Sequence, residues 1–521
     1  MMAWLDKHTV LAVAISTGCL SGLAWVVFFN LNLTTDYNDA MSHLNIARLV
    51  VDNIQPGITQ LGSVWLPMNH LLSLPLVWNE TLWHTGLAGS LISMTAFVLA
   101  SVAVYKIVFE LTGSKFGGIA GVLAFSLSLN MLYLQSTPLT EPLYVAIFVY
   151  TTLYLIRYVR YDSNKSLIAL GILGGVGTLT RYDAWFVAAV IGLLVLINEL
   201  VIKKQRLRSA LGYFLLYLTP IVFGALVWLG WNLLVFGDPL YAFTGPYSAH
   251  AQQAAIQSSS GLITKDNLII SSWAYWLSIL QNVGWIVTII GTIGWLWYVV
   301  TAPLKRRPLI FGLIGLSSII LFNVLALFLG FSILNLPEMH WNPSSNAAGA
   351  LFNVRYGILA LPLFAVGVGL FSTRLRTARI ASLGLLVGLL AAQPILTYAT
   401  GVITIQDGLV GSSAFVNQDI ARVIRDDVKP GETIIMSTSS YNAVAFESGL
   451  DLKQFIHEGV SAKWNGAISQ PDKYAQWIVA AKNDVGEPVY TSLIKNQKSA
   501  FLAKYTKVMT GAYANLYELN K

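Results

Sequence analysis

The sequence predicts an all-α polytopic membrane protein of about eleven transmembrane helices, completed by a small extracytoplasmic α/β domain at its C-terminal end. Three observations lead to that fold class. The 521-residue chain is 55% hydrophobic and 11% charged, far more apolar than the core of a soluble domain of this length requires. Apolar runs of about 20 residues, enough to cross a hydrocarbon core, recur along it with polar punctuation between them. After residue 400 the composition changes abruptly: 12 of the 32 Lys and Arg and 12 of the 25 Asp and Glu fall in the remaining stretch.

The apolar runs lie near 10–30, 84–105, 116–134, 141–158, 166–181, 184–201, 210–236, 271–300, 309–334, 350–371 and 380–399. The first, LAVAISTGCLSGLAWVVFF, is followed by no A-x-A-type cleavage site and reads as a retained span. It carries the single cysteine, Cys19, which excludes intrachain disulfides and thiolate metal clusters. Placing the N-terminus in the cytoplasm puts sixteen Lys and Arg on inward loops. Only four, Arg48, Arg181, Lys265 and Arg355, then face outward before residue 400. That bias is the positive-inside pattern of a multi-pass protein of the cytoplasmic membrane, and it accounts for the net charge of +7 without a nucleic-acid partner. The acids Asp36, Asp39, Glu141 and Asp183 face outward, so the chemistry is sought there.

Eleven crossings that start inside end outside. The chain therefore divides into a membrane domain, 1–400, with outer loops at 31–83 and 237–270, and an extracytoplasmic domain, 401–521. In the latter, strand-like runs (ETIIMSTS, AQWIVAA, ANLYEL) alternate with helix-like ones (QDIARVIRDDV, KNQKSAFLAKY), as in an α/β fold. It contains neither a G-x-G-x-x-G nor a P-loop pattern.

Directly after the first span stands NLTTDYNDAMSHLNIARLVVD, Asn32 to Asp52, which reads as an amphipathic helix on the outer surface. Asp36 precedes its first turn, where a carboxylate either caps free backbone N–H groups or serves chemistry. Asp39 and His43, four residues apart, share one face. A carboxylate at the membrane edge is costly to keep charged, the property a general base toward a hydroxyl needs, and Asp39 is the candidate. Arg48 pairs most simply with Asp52 and reads as structural.

Glu141, in LQSTPLTEPLYVAIF, opens the fourth run, as a dipole-stabilised helix acid or a second acid of a pocket. Arg181 and Asp183 share a short outward turn, LTRYDAWF. Arg355, in LFNVRYGILALPLF, enters the tenth run at its outer end. It either snorkels or, with Arg181 or Lys265, meets an anion such as phosphate. His43, His70 and Asp183 complete the pocket candidates, although His70 and His250 also suit hydrogen-bonded loop positions. The polar segment Phe236 to Asn267 reads as a lid or a plain connector.

Outside the cytoplasmic membrane there is no pool of nucleotide sugars or ATP, so a group-transfer enzyme there draws on a lipid-anchored donor. A polyprenyl-phosphate sugar is one. Its leaving phosphate needs cations and the acceptor hydroxyl needs a base. DAMSHLNIAR (Asp39 to Arg48) and GSVWLPMNHLLSLPL (Gly62 to Leu76) resemble the first outer loop of the GT-C superfamily of membrane glycosyltransferases. The protein O-mannosyltransferases and aminoarabinose transferases are the nearest in pattern. TPLTEPLYVAIFVYTTLYLIRY, LTRYDAWFVAAV and NVRYGILALPLFAVGVG are similar to the later spans, in that order, over about residues 10–400.

The resemblance implies an inverting transfer, hexosyl or mannosyl-like, from a polyprenyl-phosphate donor to a hydroxyl of a protein, lipid or glycan at the outer membrane face. It implies Asp39 as catalytic base, Glu141 as a second acid, and Arg355 with Tyr356 as contacts to the lipid phosphate, with Arg181 beside them. The sequence departs from the pattern at Ala40, where those families often carry Asp-Glu. Asp36, three residues before Asp39, is the substitute acid; a divalent cation is the one cofactor left open, and no metal ligand is assigned. A transporter or lipid flippase is the rival reading. It predicts ionisable residues at span centres and inverted repeats with broken helices, whereas the span centres here are nearly free of charge.

Overall fold

Inside hydrocarbon every backbone N–H and C=O must find its partner within the segment, so long apolar runs become helices. A computed structural model describes residues 2–62, 64–245, 248, 251, 263–301, 306–339, 351–375, 380–411, 413–484 and 486–520. Among them, eight helices are long and apolar enough to cross a membrane: His8–Asn30, Leu87–Thr112, Glu141–Tyr161, Asp183–Ile202, Leu207–Phe236, Arg307–Phe328, Val354–Leu375 and Gly384–Val410. Leu268–Val283 and Trp285–Thr301 make a ninth if counted as one span bent by 106°. The chain is a multi-pass membrane protein with a small C-terminal sheet.

Eight of the eleven predicted runs match these helices; three do not form one long helix. Run 116–134 is divided into Lys115–Ser126 and Leu129–Leu134, the second capped by the Ser128 hydroxyl, which accepts from the Met131 N–H at 3.4 Å. Run 166–181 gives Asn164–Thr178, 15 residues, or about 22 Å, short of the ~30 Å core. Run 271–300 breaks at Gly284, whose φ of +84° only glycine adopts readily; a Cβ there would meet the Gln393 side chain at 2.0 Å. Of the segment 236–267, read as a lid or a plain connector, residues 246–247, 249–250 and 252–262 lie outside the described residues, His250 among them.

Two compact units result. The first comprises Met1–Leu33, Ser63–Asn69 and Ser90–Val410. Its helices approach closely where glycines allow. A Cβ on Gly171 or Gly175 would lie 2.6 or 2.5 Å from the Tyr217 or Pro220 carbonyl oxygen, so the short Asn164–Thr178 helix lies flat against Leu207–Phe236. This is the small-xxx-small device of membrane helices, which lack a hydrophobic drive to associate. Val354–Leu375 is the most buried span. It starts as a 3-10 helix, Val354–Ala360, before the α-helix Leu361–Leu375. Pro362 has no N–H to give the preceding turn, consistent with the tighter winding there. Ser278 Oγ and Asn282 Nδ2 both donate to the Val354 carbonyl, at 2.8 and 2.7 Å, which fixes the turn bearing Arg355 and Tyr356.

The second unit comprises Thr34–Gly62, His70–Gly89 and Gly411–Lys521. Its five-stranded sheet has the order β2-β1-β3-β5-β4, with β1 Ile434–Ile435, β2 Phe455–Ile456, β3 Trp477–Ala481, β4 Tyr505–Thr510 and β5 Ala514–Leu519. β1 runs parallel to β2 and β3; β5 is antiparallel to β3 and β4. Successive strand residues point to opposite faces. Ile434, Trp477 and Val479 enter one core, and Ile435, Ile478 and Ala480 the other. The first core also receives Met41 and Leu44 from the helix Asn38–Leu49, so the segment after the first span shares a core with the C-terminal sheet.

Candidate active site

In the first unit, ionisable side chains sit at the ends of apolar helices rather than at their centres. Glu141, the first residue of its helix and 1% exposed, accepts from Arg181 Nη1 at 3.0 Å and Arg355 Nε at 3.1 Å, both on Oε1. Arg181 Nε donates to Asp183 Oδ2 at 2.8 Å, and its Nη1 also reaches Thr140 Oγ1 at 3.2 Å. Asp407 faces Arg355 from the other side: the Arg355 backbone N–H donates to its Oδ2 at 3.4 Å, with Nη1 4.0 Å away. The Tyr356 ring lies 5.2 Å from the Arg181 guanidinium and 5.4 Å from that of Arg355, within cation–π reach of both.

Five predicted residues therefore meet: Glu141, Arg181, Asp183, Arg355 and Tyr356. The sequence reading missed a sixth, Asp407. Its signal was a lone acid in GVITIQDGLVG, an apolar run that had been assigned to the tail but continues the last membrane helix. Two guanidiniums against three carboxylates leave the cluster one charge negative, and four of the five ions are buried, the Arg181 side chain being 14% exposed. Such a network holds only while complete, because removing one partner strands the others in a low dielectric. Glu141 Oε2 and Arg181 Nη2 have no hydrogen-bond partner among the described residues. One acceptor and one donor are left for a ligand.

Asp36, Asp39, His43 and His70 belong to the second unit. Asp39 lies in the first turn of Asn38–Leu49, half-buried, with His43 one turn on. The cap position of this helix is Tyr37, whose side chain makes no capping hydrogen bond. Asp36 is buried, and its Oδ2 has no partner among the described residues. Burial, reinforced by the Glu447 carboxylate, pushes Asp36 up to about 6. His43 Nδ1 and His70 Nε2 share a hydrogen bond of 2.8 Å. Burial, with His43 opposite, holds the His70 imidazole well below its ordinary range, so that ring stays neutral.

Arg48 is structural, as its spacing suggested. It pairs with Asp52 at 3.1 Å, donates to the Val77 carbonyl at 2.7 Å and lies 4.9 Å from the Trp83 ring. Asp52 in turn accepts from the Leu452 and Lys453 N–H groups at 3.0 and 3.3 Å. Among the described residues no group of three or more His, Cys, Asp or Glu is placed to hold a metal ion.

A family model described as dolichyl-phosphate-mannose-protein mannosyltransferase matches residues 82–231, a stretch that contains Glu141, Arg181 and Asp183. No curated protein matches the sequence. Among solved structures, the fold is similar to ArnT from Cupriavidus metallidurans bound to undecaprenyl phosphate. The TM-score is 0.56 at 14% identity, over 96% of this chain and 97% of that one. It is also similar to the apo oligosaccharyltransferase of Archaeoglobus fulgidus, with a TM-score of 0.55 at 12% identity, over 98% of this chain and 75% of that one. The resemblance read from the sequence thus holds: the chain has the fold of the GT-C membrane glycosyltransferases, and 82–231 resembles their mannosyltransferase branch in sequence.

Proposed function

We propose that the chain is an inverting glycosyltransferase that moves one sugar from a polyprenyl-phosphate donor to an acceptor hydroxyl at the outer face of the cytoplasmic membrane. The observation that carries this reading is the buried Glu141–Arg181–Asp183–Arg355–Asp407 network at the helix ends of a unit with this fold. A lipid phosphate needs fixed cations at membrane depth. Arginine supplies them in a planar fork that stays charged.

In the proposed reaction the acceptor oxygen attacks the anomeric carbon as the bond from that carbon to the phosphate oxygen breaks. The electron pair leaves with the phosphate, and Arg181 and Arg355 stabilise it. Asp39 takes the hydroxyl proton. Glu141, instead of reacting, aligns the two guanidiniums through its shared oxygen, and Tyr356 stacks between them and the donor. Asp36 and the His43–His70 pair support the Asp39 helix. A divalent cation has no clustered ligand set among the described residues, and no step is assigned to one. The sugar is a hexose of mannosyl type; the acceptor is a protein, lipid or glycan hydroxyl.

The test is transfer from a synthetic polyprenyl-phosphate sugar by the purified chain in detergent. Asp39→Asn, nearly isosteric, is expected to lower turnover by about 100-fold or more with folding intact. Near-normal turnover in that variant would refute the assignment of the base.

A further inference from the structure

The span that carries Arg355 at its start carries Arg374 nineteen residues on, near its other end. At 1.5 Å per residue, or 2.0 Å in the 3-10 turns, the two guanidiniums are about 30 Å apart along the helix, the thickness of a hydrocarbon core. Arg374 there lines a cavity of ≈ 220 Å³ with Thr112, Gly113, Ser114, Tyr298 and Thr373. That lining is one guanidinium and four hydroxyl-bearing side chains around a glycine, without a carboxylate.

Four helix ends build it. Gly113, with φ +73°, turns the chain between Leu87–Thr112 and Lys115–Ser126. The Ser114 hydroxyl accepts from the Gly117 N–H at 3.0 Å, and the Ser114 N–H donates to Thr112 Oγ1 at 3.0 Å. A Cβ on Gly117 would fall 2.4 Å from Thr373 Cγ2 and 2.9 Å from the Gly369 carbonyl oxygen, so this glycine is what lets the two helices close the cavity floor. Arg374 Nη2 donates to Thr301 Oγ1 at 2.5 Å and its guanidinium lies 4.9 Å from the Tyr298 ring, which fixes the fork.

We propose that this pocket binds a phosphate oxyanion, presented by a lipid headgroup or as free phosphate. It is smaller than the ~300–1,000 Å³ of sites for drug-sized ligands, which suits a headgroup rather than a sugar-bearing donor. The Thr112 and Thr373 hydroxyls donate to the Val108 and Leu370 carbonyls, both at 2.7 Å, so the Arg374 guanidinium and the Ser114 and Tyr298 hydroxyls are the groups set to meet a tetrahedral oxyanion. The Lys115–Ser126 helix also turns its positive end toward it. Three C-terminal helix ends oppose that field, so a purely structural Arg374, holding their free carbonyls, is the competing role.

The delipidated full chain in detergent is titrated with phosphatidylglycerol, with inorganic phosphate and with phosphate-free diacylglycerol, followed by native mass spectrometry and thermal unfolding. The wild type should bind saturably, and Arg374→Gln should weaken binding ~10-fold or more. A response to phosphatidylglycerol alone identifies a headgroup; a response to inorganic phosphate as well shows that the oxyanion suffices. Should Arg374→Gln not fold, the variant Tyr298→Phe decides, with weaker binding expected. Diacylglycerol binding as well as the phosphates, or unchanged binding in the folded variant, overturns the proposal.

Discussion

Asp36 and Glu141 are both buried acids, yet their surroundings set them opposite tasks. Asp36 faces another carboxylate, Glu447, and its proton is held up to about 6. Its folded form therefore binds a proton more tightly than the unfolded chain does. The resulting stabilisation is complete below the ordinary Asp range near 4 and is lost as pH rises through about 6. Asp36→Asn should accordingly raise the unfolding temperature clearly more at pH 7.5 than at pH 4.5; equal shifts at both would contradict the assignment. Glu141 instead neutralises two arginines. Glu141→Gln breaks this bridge while Arg181 keeps Asp183 and Arg355 keeps Asp407, and should cost about 1.5–3 kcal/mol of stability, the loss of a charged hydrogen bond, measured by unfolding in detergent. These polar residues were readable in the sequence because each interrupts an apolar run. Their pairing was not: Arg181 and Arg355 reach Glu141 across 40 and 214 residues, and His43 meets His70 across 27, separations that carry no periodic signal.

Hydropathy located the helices, because hydrocarbon leaves the backbone no alternative, but it did not show where they break. A glycine inside an apolar run reads as tolerated in a helix, so nothing local marked Gly284 as the site of a 106° bend. The same blindness hid Asp407, whose helix Ile403–Gly411 continues the last span past the change in composition at residue 400. Gly171 and Gly175, by contrast, stand in the Gly-rich stretch GILGGVG, and the structure gives them a purpose. Gly175→Ala would push a methyl to within 2.5 Å of the Pro220 carbonyl and should lower stability by ~1–3 kcal/mol through overpacking. An unchanged unfolding temperature would show that Asn164–Thr178 does not pack as closely as described.

Across the whole molecule, ionisable groups keep to the ends of the apolar helices. Glu141 and Asp183 stand at the first residue of their spans, Arg355 at the second and Asp407 near the end of its own. A proton- or ion-coupled carrier needs such groups at mid-membrane. A transferase working on a lipid-anchored phosphate needs them near the ends of its spans, which is where they lie. The most direct measurement is binding of labelled polyprenyl phosphate to the purified chain, comparing wild type with Arg181→Lys and Arg355→Lys, which keep the charge but lose the fork. Saturable binding that weakens ~10-fold or more in each folded variant is the predicted result. Equal binding in all three proteins, or none in the wild type, would contradict it.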